Sequence, residues 1–131
     1  MKGFILALLL ALVSTVAFAQ LPETTTANLA MDATYTSSTF AVGRSAYIVV
    51  FVKASHNSAT DGVKIDQSTD TDCASASSPT FQYTSDWSYT ATDGNVYVAQ
   101  AVGKCFRVRY VNGGTNQSSF DLTANLWGGT S

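Results

Sequence analysis

Toward the carboxyl end of the chain, apolar and polar side chains alternate one by one, the period of strands with one packed and one wet face. Phe106, Val108 and Tyr110 share one parity, against Cys105, Arg107 and Arg109. Phe120, Leu122, Ala124 and Leu126 likewise oppose Asp121, Thr123 and Asn125. The two apolar rows are expected to meet in one core. Residues 80–84, 87–90 and 95–102 read as further strands, with Asp93-Gly94 as a hairpin cue between the last two. The final three strands are expected to form a meander.

Residues 46–53 are apolar on both parities, as in a central strand covered on both faces or in a contact between subunits. Residues 56–78 are polar and collect Asp, Ser and Thr, and only 62–65 within them reads as a strand. Residues 20–40 carry few large apolar side chains and read as an extended arm with a weak first strand near 34–39. Helix signals are almost absent after the leader, whereas Val, Tyr, Thr and Ser recur in short runs between Gly, Asn and Asp. About eight strands on one chain of this size predict an all-β fold: a single antiparallel β-sandwich, jelly-roll-like, over residues 41–131.

The first 19 residues follow a different pattern. Lys2 precedes an apolar run that ends at the small-residue site Ala17-Phe18-Ala19, the layout of a secretory signal peptide. A pilin-type leader processed before Phe4 is the rival reading, but its usual glutamate is replaced by Leu8 at the fifth position. Cleavage after Ala19 leaves 112 of the 131 residues and, with Lys2 gone, moves the net charge from −2 to −3. No later segment is long enough to cross a bilayer, so no membrane contact is expected once the leader is removed. The acidic balance argues against nucleic acid, which rewards clustered Lys and Arg. Arg107 and Arg109 form the one close basic pair, read as a solvated stripe or an ion pair. Cys73 and Cys105, both in the exported part, are expected to form a disulfide across the long polar loop.

Chemistry-bearing residues are sparse. His56 is the single histidine and stands near no nucleophile motif, and Glu23 is the single glutamate, so neither a triad nor a glutamate-based glycosidase pair is assembled. No catalytic residue and no cofactor are assigned. Asp66, Asp70 and Asp72 crowd one loop and are the candidate oxygen ligands of a Ca²⁺ ion. Trp87, Tyr89 and Trp127 are the candidate ligand-binding residues, because exposed rings stack on sugar faces or anchor protein interfaces.

One stretch carries a resemblance. Arg107-Val108-Arg109-Tyr110, the Asn112-Gly113-Gly114 corner, Gln117 and Ser119-Phe120 with Leu122 resemble a run in β-sandwich modules of tailed-phage structural and receptor-binding proteins. In the residues themselves, the glycines give the corner its freedom and Gln117 can bond backbone groups left unpaired there. The resemblance implies a non-catalytic building block displayed on a surface and working as an oligomer; the export leader departs from that pattern. The expectation is an exported structural, assembly and surface-adhesion subunit, homo-oligomeric, located outside the cytoplasm as a secreted, periplasmic or cell-surface protein or in a virion. A carbohydrate- or receptor-binding module is the alternative, and a small secreted hydrolase the second alternative.

Overall fold

A computed structural model describes residues 23–74 and 79–129. The leader expected at 1–19 lies outside the described residues. Nine strands follow in chain order: β1 Glu23–Thr25, β2 Thr34–Thr36, β3 Phe40–Ala41, β4 Ser45–Ala54, β5 Ser58–Ser68, β6 Tyr83–Trp87, β7 Asn95–Gln100, β8 Cys105–Asn112 and β9 Phe120–Gly129.

They form two antiparallel sheets packed face to face, the β-sandwich that the alternation predicts. The first sheet has the order β1-β9-β4-β7 and the second β2-β8-β5-β6, with β3 also pairing β8. Inward residues of β4 (Ile48, Val50, Val52), β5 (Val63, Ile65), β8 (Phe106, Val108, Tyr110) and β9 (Phe120, Leu122, Ala124) are buried and make the core. The two rows read from the sequence do meet there: the Tyr110 and Phe120 rings lie 4.8 Å apart across the sandwich. Each fully buried side chain of this kind contributes about 1.5–3 kcal/mol of transfer free energy.

Connectivity departs from the expectation. β7 and β9 lie in the first sheet and β8 in the second, so the last three strands cross between layers and form no meander. Alternation fixes which side chains point inward; it is blind to whether the next strand pairs alongside or faces across. The Asp93-Gly94 cue likewise marks a passage from β6 to β7, in opposite sheets, and no hairpin. Glycine is required there for another reason. Gly94 has φ +127°, and a Cβ on it would stand 2.7 Å from the Phe51 ring.

The polar stretch after residue 56 hides a longer strand than 62–65. β5 runs through eleven residues at the centre of the second sheet, with a register shift between Ser58 and Val63. At this irregularity a Cβ on Gly62 would meet the Val111 carbonyl at 2.5 Å, so the backbones close on each other only with glycine. The arm is sewn down on both sheets: β1 pairs β9, β2 pairs β8, and the Tyr35 hydroxyl donates to the Glu23 carboxylate at 2.7 Å. Burial and the neighbouring Glu23 carboxylate both push the Tyr35 phenol upward.

The expected disulfide is present. Cys73 and Cys105 are bonded, Cα to Cα 5.4 Å, tying the loop after β5 to the first residue of β8.

Candidate interaction surface

The two outer faces of the sandwich differ in chemistry. On the second sheet, Asp66 of β5 lies opposite Arg107 and beside Arg109 of β8. Its carboxylate, 1% exposed, accepts from Arg107 Nε at 2.8 Å, from Arg109 Nε at 2.6 Å and Nη2 at 2.9 Å, and from the Thr84 hydroxyl at 2.8 Å. Burial by itself would raise this carboxyl. The bonds from Arg109, Arg107 and Thr84 outweigh it and hold the group below the ordinary aspartate range. Asp66 in turn raises the Arg109 guanidinium. Arg107 also lies over the Phe81 ring, 4.1 Å from its centroid. Of the two readings of the arginine pair, the ion pair is the one realised.

This arrangement corrects the calcium assignment. Asp66 is saturated by two guanidinium groups, Asp70 accepts from the Thr80 amide at 2.8 Å, and Asp72 caps the Ala74 amide at 3.2 Å. A carboxylate already holding two cations is a poor ligand for a third. Among the described residues no cluster of three His, Cys, Asp or Glu side chains could hold a metal ion.

The outer face of the first sheet is of the opposite kind. Cross-strand register lines up three rows across β7, β4 and β9: Val96, Phe51 and Thr123; Val98, Val49 and Asn125; and Gln100, Tyr47 and Trp127. Val96, Val98, Tyr47 and Trp127 are 54, 49, 42 and 70% exposed, while Val49 and Phe51 are half-buried between them. The Tyr47 and Trp127 rings stand 6.4 Å apart, tilted by 39°. Charge enters this part of the face only at its end, where Lys53 lies opposite Asp121. That arrangement explains why residues 46–53 are apolar on both parities: Ile48, Val50 and Val52 fill the core, and Tyr47, Val49 and Phe51 form the centre of the outer patch.

Of the three aromatic candidates, the structure leaves one on the surface. Trp127 is open to solvent. Trp87 is half-buried at the edge of the sandwich, packed on Tyr97 at 5.4 Å. Tyr89 is 1% exposed, which removes it from any ligand site. Trp87 lies opposite the buried Val63, so the side of the strand it shares with Tyr89 is the inward one. The Tyr89 hydroxyl instead accepts from the Ala54 and Thr92 amides at 2.9 and 3.3 Å and faces the Ala54 carbonyl. Tyr47 was missed because it sits in a run read as buried; its pairing with Trp127 depends on β4 and β9 being neighbours, which the alternation leaves open.

A shallow cleft of about 270 Å³ opens at one end of the sandwich, lined by residues that include His56, Asn57, Gly113 and Thr115. Behind it lies a polar plug. Gln117 Oε1 accepts from the Ser55 hydroxyl and the His56 amide, both at 2.9 Å, while Nε2 donates to the His56 carbonyl and to Asn112 Oδ1 at 2.7 Å. Asn112 Nδ2 donates on to Ala30 and Thr115 carbonyls. Gln117 thus satisfies corner backbone as its position suggested. The Ser55 hydroxyl also accepts from the Ser118 and Ser119 amides, so its contact with His56 Nδ1 at 3.0 Å belongs to the corner.

Residues 13–127 match the family model described as the N-terminal domain of the uncharacterised protein YqxG. The crystal structure of PBSX exported protein XepA superposes with a TM-score of 0.63 at 18% identity. The overlap covers 85% of this chain and 38% of the XepA chain, so the present chain spans well under half of that protein. No curated protein matches the sequence.

Proposed function

We propose, for a chain that belongs to the YqxG N-terminal domain family, that the sandwich is an exported, non-catalytic association module acting through the outer face of its first sheet. The observation that carries this reading is the Tyr47, Val49, Phe51, Val96, Val98 and Trp127 patch. At their exposures the four open side chains present on the order of 400 Å² of apolar surface, the size of the largest patch on a single chain, which is often functional. Aromatic anchors within an uncharged centre and a polar rim of Gln100, Asn125 and Thr123 match the composition of protein interfaces.

Export is supported by the leader pattern at 1–19 and by the naming of the fold neighbour as an exported protein. A structural or adhesive role on a particle or cell surface is supported by the resemblance of the Arg107 to Leu122 run to phage display modules. The absence of a catalytic role is part of the proposal, and rests on the single histidine being engaged at a structural corner.

The test is fractionation of cells expressing the full chain. Wild-type protein should be retained on a sedimenting cell-surface or particle fraction. Replacing Tyr47 and Trp127 together by serine should release it to the medium, with retention down about tenfold or more, the size expected for loss of interface anchors. Equal partition of wild type and variant would refute the role of this face.

A second reading follows from the tilted Tyr47 and Trp127 rings with the Gln100 and Asn125 amides beside them, a platform on which a sugar ring could stack. Titration with a panel of soluble glycans decides it: binding lost in Trp127→Ala would favour a saccharide ligand over a protein one.

A further inference from the structure

The cleft at the end of the sandwich is walled by two loops, 55–57 between β4 and β5 and 113–119 between β8 and β9, with Ala91 beside them. Its lining side chains are all neutral. Their polar atoms divide into two sets. One set is consumed inside the corner: Asn57 Oδ1 accepts from the Ala91 amide at 2.7 Å, and the Thr115 carbonyl accepts from Asn112 Nδ2 at 2.9 Å. The other set has no hydrogen-bond partner among the described residues. It comprises Asn57 Nδ2, the Thr115 hydroxyl and His56 Nε2, each from a residue that lines the cleft.

The corner also fixes which His56 nitrogen carries the proton. The Ser55 hydroxyl has a single hydrogen, and it goes to Gln117 Oε1 at 2.9 Å. That oxygen is identified by its surroundings, since it accepts from the His56 amide while Gln117 Nε2 donates to the His56 carbonyl. His56 Nδ1, 3.0 Å from Ser55 Oγ, therefore supplies the hydrogen of their contact. Nε2 of the neutral ring is left as an acceptor.

The unused groups are thus an amide donor, an imidazole acceptor and a hydroxyl that does both. An anion entering here would meet the imidazole lone pair and a cation the amide N–H, and either would give up water with no opposite charge in return. Hydroxyl groups, which donate and accept at once, suit the set. We infer that the cleft binds a neutral polyhydroxyl ligand, a single sugar ring whose hydroxyls bond to Asn57 Nδ2, Thr115 Oγ1 and His56 Nε2. The volume of about 270 Å³ lies at the lower end of small-ligand sites, which fits one ring. Ala91 and Gly114 leave small apolar surface for the ring's C–H groups. This site is separate from the Tyr47 and Trp127 platform: it lies where β4 ends and β9 begins, whereas those rings stand near the opposite ends of both strands. The inference goes beyond the association face and does not rest on it.

The test titrates the exported protein with the methyl glycosides of glucose, galactose, mannose and N-acetylglucosamine, and with glucuronate as the charged comparison, read by nuclear magnetic resonance shifts. A neutral sugar should give saturable shifts at the Asn57 and Thr115 amides and the His56 ring, with a Kd on the order of 1 mM for so shallow a site. Asn57→Asp keeps the cap on the Ala91 amide and turns the Nδ2 donor into an acceptor; Thr115→Val removes the hydroxyl alone. Each should weaken binding about tenfold with the denaturation midpoint unchanged. Four results overturn the inference: no neutral sugar saturates these shifts; glucuronate binds at these residues as tightly as the neutral sugars; either variant, folded, keeps wild-type affinity; or the saturable shifts fall on Tyr47 and Trp127 and vanish in Trp127→Ala, which would place the sugar on the platform instead. The retention assay on Tyr47 and Trp127 is read separately, so an empty cleft leaves the association reading standing.

Discussion

Arg109 reaches across from β8 to the Asp66 carboxylate on β5 with two nitrogens, Nε at 2.6 Å and Nη2 at 2.9 Å. With Arg107 on the other side, one buried anion holds two half-buried cations at the middle of the second sheet.

That relationship makes stability depend on acid. The folded Asp66 carboxyl takes up its proton at lower pH than the unfolded one, so its contribution is complete above the ordinary aspartate range and fades as pH falls through the lowered folded value. Chemical denaturation of wild type from pH 6 down to about pH 2 should show this loss. Asp66→Asn should be less stable at neutral pH by about 2 kcal/mol, below the cost of breaking a fully buried pair because the arginines keep water contact. The variant should also show a shallower acid dependence than wild type.

Tyr110 offers a gain. Among the described residues its buried hydroxyl is the side-chain polar group without a hydrogen-bond partner, and burial pushes the phenol upward. Tyr110→Phe removes an unpaired polar atom and keeps the ring against Phe120. The denaturation midpoint should rise by an amount worth about 1 kcal/mol.

Gln117→Ala should do the reverse. It leaves Asn112 Oδ1 and the His56 amide and carbonyl without their buried partner, for a cost of about 3 kcal/mol. Exchange of the Met31 and Asp32 amides, which donate to Asn116 Oδ1 and the Gly113 carbonyl of the same corner, should accelerate with it.

Reduction of Cys73–Cys105, or the double Cys73→Ser/Cys105→Ser change, should lower stability by roughly 3 kcal/mol, as expected for a loop of this length. The strand pattern in circular dichroism should persist at low temperature, because the core beneath Phe106 and Leu122 does not depend on the bridge.

Sequence and structure agree where one local rule decides. Alternation placed Phe106, Val108, Tyr110, Phe120 and Leu122 inward, and the cysteine count gave the bridge. Position in the corner run pointed to Gln117. Disagreement begins where the outcome depends on a neighbour chosen by the fold. Tyr89 shares its parity with Trp87, but which side that parity faces is decided by the pairing of Trp87 with the buried Val63 on β5. Asp66 reads as one of a loop of aspartates until β5 is extended to Ser68 and brought beside two arginines. The Tyr47 and Trp127 patch needs β4 and β9 side by side, a pairing across some eighty residues that local periodicity does not encode.

Hydroxyl-radical footprinting of the protein in its native exported setting, compared with the purified single chain, tests the central claim most directly. Tyr83 and Met31, 51 and 56% exposed and away from the first sheet's outer face, serve as internal references. The account predicts that Tyr47 and Trp127 lose most of their oxidation in the native setting while Tyr83 and Met31 keep theirs. Equal oxidation of Tyr47 and Trp127 in both settings would contradict it.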